Sequence, residues 1–580
     1  MPGLGAGKCK IATACETLTR SQPALVVDPG MFKPVWQKGW TLLSSEPKLV
    51  TALAFAIALC SLTATSAEHQ PASRQADSEP AMLTAPGTID VGSRWELFVD
   101  DFLIDRRPGV ELRLHHPAAQ EIALVHDAPW EGSGCGYHVV FRDGERFRMY
   151  YIAAALTNEE GTELPQRPLY ACYAESKDGI HWTKPDLGLI AFHDSTHNNI
   201  VWTTPTTDNF AVYKDANPAC RDGERYKALA AGKGGLWAYK STDGLQWSLL
   251  KDSPIITQGA FDSLNLAFWD PLRQQYWCYF RDFHQGLRDI RVSTSQDFLT
   301  WAEPERLAYV DSPEEQLYTN MVMPYYRAPH LFVGFPTRYT ERSWSAAFRS
   351  LPDLEHRQRR MKFSPRYGTA ITDGLFMSSR DGRLFHRWGE AFIRPGIERK
   401  HNWLYGDGYQ NWGLIETAAA DPLAPPELSL YTTENNWKTA TRLRRHTLRI
   451  DGFVSLSAPL KGGEVLTKPL LFAGSKLILN FSTSGAGSIR VELQDVAGRP
   501  LEGFTLMECD EVFGDSIERT VTWKDGQADL RSLAGRPVRL RLVMKDADLF
   551  SFRFSEMLPA KPAVEGRVRT LHDKQTQPGA

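Results

Sequence analysis

Acidic residues stand just ahead of several short β-like segments, far apart along the chain. Glu131, Asp208, Asp262 and Glu315 each precede a segment of this kind, and Asp282 ends another. Cleavage of a glycosidic bond needs one carboxyl group held protonated and a second held ionised, in unlike environments. The residue types therefore favour glycoside hydrolysis, provided that the fold gathers them. For each acid taken alone, a strand cap or a surface ion pair is the alternative.

We predict catalytic roles for four of these acids, with Glu131 or Asp262 as nucleophile or base and Glu315 as the acid. Asp282 is the fourth. Aromatic rings that stack on sugar faces and polar groups that bind hydroxyls form the predicted substrate-binding set. This set comprises Trp130, His138, Trp269, Arg281, Tyr318 and Asn320. For the rings the alternative is packing between sheets, and for His138 it is a buried structural histidine.

A short phrase that recurs four times indicates what must position these residues. Serine, aspartate two residues later, usually glycine next and an aromatic ring six residues after the serine occur from Ser176, Ser241, Ser295 and Ser379. The polar residues suit a tight turn between strands, and the ring suits the gap to a neighbouring sheet. Repeated supersecondary units of this size predict a β-propeller, in which the inner strands begin near one axis.

The predicted fold class is all-β, with a five-bladed β-propeller followed by a C-terminal β-sandwich. Six blades are the alternative. The apolar segment 97–104 is predicted to close the ring by pairing with the last blade, and the charged segment 341–368 to form an inserted loop or short helix. The predicted organisation is a leader (1–67), a disordered spacer (68–90), the propeller (91–455), the sandwich (456–557) and a disordered tail (558–580).

Composition and the leader limit the partners. The 580 residues carry 66 basic and 69 acidic side chains with no long basic stripe, so nucleic acid is not an expected partner. The apolar run 49–62, followed by small residues, predicts a secretory signal and a secreted or periplasmic protein, with an uncleaved anchor as the alternative. The widely spaced cysteines beyond the leader predict neither a disulfide framework nor a metal site. No cofactor is expected, and oligomeric state stays open.

Several motifs carry a resemblance to a known group. Phe261-Asp262-Ser263, Phe268-Trp269-Asp270, Arg281-Asp282 and the stretch from Glu315 to Asn320 are similar to secreted bacterial five-bladed β-propeller proteins of the glycoside hydrolase family 32/43 superfamily, which includes invertases and arabinanases. The resemblance spans roughly residues 95 to 555, because family 32 enzymes also carry a β-sandwich.

The catalytic motifs depart from that family. Its enzymes use an aspartate nucleophile in blade one, an Arg-Asp-Pro motif and an acid in a Glu-Cys motif. Here Glu131 fills the first position, Phe283 follows Arg281-Asp282, and Glu508-Cys509 falls in the predicted sandwich. The resemblance therefore implies the fold more strongly than the chemistry.

The predicted function is hydrolysis of glycosidic bonds in plant or algal glycans, with carbohydrate as the partner. Two alternatives stay open. One is a non-catalytic carbohydrate-binding propeller. The other is a sialidase-like enzyme, for which Arg281, Arg327 and Arg338 are candidate arginines and which would have six blades.

Overall fold

The computed structural model describes residues 87–157, 163, 168–203, 208–310, 312–400 and 402–555. The predicted leader, the tail 558–580 and nearly all of the spacer lie outside these residues. The described part is almost entirely β-structure, which confirms the predicted all-β class. Among the described residues, no helix has both the length and the apolar character needed to span a membrane.

Five antiparallel sheets, here called sheets 1 to 5, follow one another along the chain. Sheet 1 contains Gly136–Asp143, Arg146–Ala153, Tyr170–Ser176 and Ile200–Thr203. Sheet 2 contains Asp208–Lys214, Tyr226–Gly232, Gly235–Ser241 and Ser248–Leu249, with a 3₁₀ turn at Asp222–Glu224. Sheet 3 contains Leu266–Asp270, Gln275–His284, Leu287–Ser295 and Glu305–Arg306. In these three sheets each strand pairs with the next in sequence.

Sheets 4 and 5 add a strand from elsewhere in the chain. Sheet 4 contains Met323–Tyr325, Ala328–Gly334, Met377–Ser379 and Leu384–Arg387, and Ala308–Val310 pairs with its last strand in parallel. Sheet 5 contains Ile415–Thr417, Glu427–Glu434, Thr441–Leu448 and the early strand Ala118–His126. A separate three-stranded sheet is formed by Gln316–Leu317, Thr337–Glu341 and Ala370–Gly374. The first of these strands precedes sheet 4 in the chain, and the other two come between its second and third strands along the chain, Ala328–Gly334 and Met377–Ser379. The predicted insertion 341–368 holds the helices Ala346–Arg349, Leu354–Met361 and most of Pro365–Thr369.

The predicted closing strand is wrong. Thr441–Leu448 of sheet 5 pairs with Ala118–His126, not with the segment 97–104. Glu96–Leu97 instead pairs with Arg539–Ser555 near the end of the chain. The reason is burial, since Phe98 and Leu103 belong to the hydrophobic core formed mainly by C-terminal residues.

Each sheet is joined to its neighbours through residues near its first strand. The first strands of sheets 1 and 2, 2 and 3, and 5 and 1 contact each other. Asn320, ahead of sheet 4, donates to the carbonyl of Leu264 ahead of sheet 3, at 3.2 Å. Trp412, ahead of sheet 5, donates from Nε1 to the carbonyl of Val322 at 2.9 Å. The first strands of the five sheets, or the residues just ahead of them, are therefore neighbours in the fold.

The recurring phrase forms the predicted polar turn. Ser176 Oγ accepts a hydrogen bond from the Gly179 N–H at 2.8 Å, and Asp178 Oδ1 accepts from the N–H groups of Ile180 and His181, each at 2.8 Å. Equivalent bonds recur in the other three phrases. The ring of Trp182 then packs edge-on against Tyr431 of sheet 5. The predicted turn is thus confirmed.

C-terminal strands form an eight-stranded sheet with strands from the start of the described chain. Its members are Glu96–Leu97, Ile104–Arg106, Glu111–Leu114, Val454–Ala458, Gly463–Thr467, Lys476–Gln494, Asp515–Thr520 and Arg539–Ser555. Ile89–Gly92 and Leu470–Phe472 pair separately in parallel. This region has its own hydrophobic core, distinct from the cores of sheets 1 to 5.

Candidate functional site

The first strands of the sheets begin with an unusual backbone. Tyr137, Asn209 and Phe261 have φ values of 55°, 56° and 55°, and Met321 has 45°. Such left-handed residues are uncommon outside glycine. In sheets 1 and 2 they accompany irregular register next to the first strand. Irregularities of this kind redirect side chains, often beside functional sites.

A buried arginine lies at the centre of this region. The guanidinium of Arg281 is 2% exposed and forms an ion pair with the side chain of Asp262, which is 60% exposed. Its Nη2 also donates to the Asp262 carbonyl at 2.7 Å. Its Cζ lies 4.4 Å from the centre of the Tyr318 ring. Three residues predicted for the site therefore lie together.

Tyrosines surround this arginine. The Tyr405 hydroxyl donates to the Tyr318 hydroxyl at 2.9 Å, and the Tyr318 ring is 5.2 Å from that of Tyr409. Tyr137 lies 6.0 Å from Tyr409, ring centre to ring centre. Burial alone would raise the pKa of Tyr318, but the charge of Arg281 and the bond from Tyr405 outweigh burial and leave this pKa below its usual value. The cluster is thus aromatic and electropositive.

Two further arginines extend the positive charge. Arg288 lies 4.7 Å from the Tyr339 ring centre, and Arg366 lies 5.6 Å from that of Tyr405. Sequence reasoning did not select either of them. Arg288 belongs to the third strand of sheet 3 and Arg366 to a helix of the insertion, so no strand-start pattern marks them.

Asp208 provides a second carboxyl group with a different environment. Burial raises the pKa of Asp208 to about 6, and the negative charge of Asp262 adds to the rise. The N–H of Asn209 and the charge of Arg281 offset this only in part. Asp262 is exposed and paired with Arg281. Asp208 is therefore disposed to hold a proton up to about pH 6, whereas Asp262 lies exposed against a guanidinium.

Glu131 lies in a buried network, away from these groups. Its carboxylate is 0% exposed and accepts hydrogen bonds from Tyr151 at 2.6 Å and from Lys184 at 2.9 Å. His126 Nδ1 lies 3.2 Å from Oε1. Burial opposes ionisation, but His126 and Lys184 outweigh it and lower the pKa of Glu131 to about 2. Among the described residues no contact links this network to Arg281, so Glu131 has a stabilising environment instead of a reactive one.

The same network contains candidate metal ligands. His126, Glu131 and Cys135 present ligand atoms within 4.8 Å of one another. However, the ammonium of Lys184 occupies one carboxylate oxygen of Glu131 and the Tyr151 hydroxyl occupies the other. A resident cation at this position disfavours a second one. The geometry fits an internal ion pair better than a bound metal.

Glu315 and Asp282 are paired with arginines other than Arg281. Glu315 is bound by Arg338 at 2.9 Å and by Arg387, so both of its oxygens are engaged. Asp282 pairs with Arg291 at 2.7 Å. Because side chains alternate along a strand, Asp282 faces the opposite side of sheet 3 from Arg281. Within the described residues, Glu131, Asp262 and Glu315 each have cationic partners of their own, and no contact joins the three.

The remaining predicted substrate contacts have structural partners. Trp130 donates to Asn199 Oδ1 at 2.7 Å, and Asn320 donates to the carbonyls of Leu264 and Tyr279. Burial lowers the pKa of His138 well below its usual value, and its Nε2 lies 3.0 Å from that of His126.

Trp269 also lies away from the cluster. It is the fourth residue of Leu266–Asp270, so it stands toward the far end of the strand from Asp262. A position at the start of a strand, or an aromatic side chain, therefore does not by itself bring Trp130, His138, Trp269 or Asn320 to Arg281 and its tyrosines.

No family model matches the chain. A curated relative, "Uncharacterized protein MT1551" of Mycobacterium tuberculosis, is 30% identical over 162 residues, which is 27% of this chain and 45% of that protein. The chain thus spans less than half the length of this relative.

Solved structures that resemble the chain include glycoside hydrolases. The catalytic domain of a Coprinopsis cinerea GH62 α-L-arabinofuranosidase has 9% identity and a TM-score of 0.36, covering 58% of this chain and 97% of its own. A putative glycosidase of Bacteroides thetaiotaomicron has 13% identity and a TM-score of 0.32, covering 57% and 93%. An N-acetylgalactosamine deacetylase from F. plautii has 13% identity and a TM-score of 0.36, covering 60% and 95%. At these scores the similarity does not determine the function of this chain.

Proposed function

We propose that this chain is an exported glycoside hydrolase that acts on plant or algal glycans. In this proposal sheets 1 to 5 are the blades of a five-bladed propeller of the family 32/43 superfamily, and the C-terminal strands form its sandwich. One observation carries the chemistry. Asp208 and Asp262, on neighbouring sheets and beside the same arginine, lie in unlike environments: Asp208 is largely buried with a pKa raised to about 6, and Asp262 is exposed and paired with Arg281.

The two aspartates take complementary roles. Asp208 holds its proton and donates it to the leaving glycosidic oxygen as the bond from that oxygen to the anomeric carbon breaks. Ionised Asp262 either attacks that carbon or removes a proton from the attacking water, and water supplies the new hydroxyl. Arg281 holds Asp262 in place, and the tyrosines offer rings and hydroxyls to the sugar.

Leaving-group chemistry tests this assignment. Asp208→Asn should lose turnover on natural glycans but retain it on 2,4-dinitrophenyl glycosides, because that leaving group departs without a proton. Asp262→Asn should lose turnover on both. Asp282→Asn is the matched control, since it removes an aspartate that faces the other side of the same sheet. Unchanged hydrolysis of natural glycans by Asp208→Asn would remove this residue from the mechanism, and glycan binding without turnover by the unaltered chain would favour the non-catalytic alternative.

A second candidate, sialidase-like hydrolysis, is favoured by one observation. Tyr318 has a lowered pKa, and Arg281 and Arg288 both lie over its ring. The two other arginines chosen from the sequence do not join it, because Arg327 pairs with Asp451 and Arg338 with Asp373. Tyr318→Phe separates the two mechanisms. Abolished cleavage of 4-nitrophenyl sialosides would support a tyrosine nucleophile, whereas cleavage of neutral glycosides that survives this change supports the aspartates.

A further inference from the structure

A cavity of about 530 Å³ lies at the far ends of the first strands of sheets 1, 2 and 3. Phe141 stands four residues after Tyr137 on one strand, and Tyr213 stands five after Asp208 on another. Strands advance roughly 3.3 Å per residue, so the cavity is on the order of 13 Å or more from the aspartates. It is therefore a separate site.

Aromatic rings form the walls of this cavity. The rings of Phe268 and Trp412 stack at 6.4 Å between centres, with planes 21° apart. The hydrogen bond from Trp412 to Val322 fixes the second ring in place. Phe141 and Trp269 add further apolar surface. Flat apolar walls of this kind suit the face of a sugar ring.

Two buried polar groups in these walls lack a partner. The Tyr213 hydroxyl and the Trp269 indole N–H have no hydrogen-bond partner among residues 87–157, 163, 168–203, 208–310, 312–400 and 402–555. Both side chains line the cavity, and they are 3% and 9% exposed. Buried polar groups are normally paired, so each unpaired one calls for an explanation. Both polar atoms are closed to solvent, so a ligand hydroxyl supplies the missing bond once the side chain turns toward the cavity.

The polar part of the lining is positive. Arg142, Lys214 and Arg225 line the cavity. Asp215, the one acid among the described residues of the lining, is neutralised by Lys227 and accepts a hydrogen bond from Tyr276 at 2.8 Å. Lys214 pairs with Asp143, so the two arginines are the cations available to a ligand. Arg142 is exposed, and Arg225 has a 3.5 Å contact with the exposed side chain of Asp222. Charge complementarity favours an anion.

We propose that this cavity binds a carboxylated sugar unit of a polysaccharide. The sugar face stacks on the aromatic walls, its hydroxyls pair with Tyr213 and Trp269, and its carboxylate lies against Arg142 and Arg225. A neutral sugar would leave the arginines unused, and an aromatic acid would leave the buried polar groups short of partners. The site holds a glycan without cutting it, and it does not depend on the proposed hydrolase activity.

Calorimetry on the full chain tests the site. The probe is trigalacturonic acid, with galactotriose as its neutral counterpart and ferulate as the aromatic acid. The Asp208→Asn variant serves as the parent, so that the probe stays intact. We expect trigalacturonic acid to bind at least tenfold more tightly than galactotriose and ferulate, with affinity falling as salt rises.

Variants then locate the binding. Arg142→Gln with Arg225→Gln should weaken trigalacturonic acid at least fivefold, and Tyr213→Phe should weaken it without lowering the midpoint of thermal unfolding. Arg221→Gln, an exposed arginine outside the lining, is the matched control and should bind normally. The proposal is overturned by absent binding, by equal affinity for galactotriose, by stronger binding of ferulate, or by binding that survives both changes in the cavity.

Discussion

Glu131 and Asp208 occupy similar places in the sequence and opposite electrostatic environments. Each is a buried or half-buried acid just before or at the start of the first strand of its sheet, sheet 1 for Glu131 and sheet 2 for Asp208. Yet the pKa of Glu131 is lowered to about 2, while that of Asp208 is raised to about 6. Burial opposes ionisation at both, so the neighbouring groups decide. Lys184 and His126 contact Glu131, whereas Asp208 has the charge of Asp262 nearby.

This difference distinguishes an acid that stabilises the fold from an acid suited to proton donation. A carboxylate saturated with cationic and hydroxyl donors is fixed in one protonation state and contributes to stability. A carboxyl group whose pKa is raised to about 6 costs stability above that pH but is useful for proton donation. The two acids are therefore expected to respond in opposite ways to the same substitution.

Activity should give the largest contrast. Asp208→Asn is expected to lower kcat/KM on natural glycans by about 1000-fold, within the usual contribution of a general acid. Glu131→Gln should leave the value per folded molecule within a few-fold. The wild-type rate should fall as pH rises through about 6, because Asp208 loses its proton there. Steady-state kinetics with the folded fraction measured by circular dichroism checks both expectations; a similar loss in the two variants contradicts the comparison.

The free energy of unfolding, in contrast to activity, should depend strongly on the Glu131 network. Lys184→Met leaves a buried carboxylate without its ammonium, and breaking a buried ion pair in this way costs about 3 kcal/mol. Urea unfolding at pH 7.5 measures the change. The double variant Lys184→Met with Glu131→Gln is the control, since removing the charge as well should recover part of the loss. A double variant less stable than Lys184→Met would show that the network is not electrostatic.

The sequence reveals the repeated sheets better than it reveals which groups contact each candidate acid. The four turn phrases predict repeated sheets. Asp262 stands ahead of the first strand of sheet 3 and Arg281 near the end of the antiparallel second strand, so both are expected at the same end of that sheet. The prediction of Tyr318 rests on the same logic. Glu131 obeys it too, but its partners His126 and Lys184 come from the last sheet's early strand and from a loop, which a strand-start pattern cannot reveal. Asp208 satisfies the pattern and was assigned no role, because its environment depends on Asp262 folding beside it.

Asp208 should also carry a smaller cost in stability. Its pKa is raised from the ordinary 3.8 to about 6, so the folded state holds the proton more tightly than the unfolded chain. Stability is therefore lost as pH rises from about 4 to 6 and stays lost above. Asp208→Asn should stabilise the protein by about 2 kcal/mol at pH 7.5 and have little effect at pH 4. Urea unfolding at the two pH values checks this, and equal effects at both would contradict the raised pKa of Asp208.

The smallest effect is expected at Asp282, which lies one residue from Arg281. Its partner Arg291 is 28% exposed and Asp282 itself 20%, so solvent screens the pair. Asp282→Asn should cost about 1 kcal/mol or less by urea unfolding and leave kcat/KM unchanged. A loss of activity as large as that of Asp208→Asn would place Asp282 in the reaction. Two adjacent residues on one strand would then share a site, although alternation directs their side chains to opposite faces of the sheet.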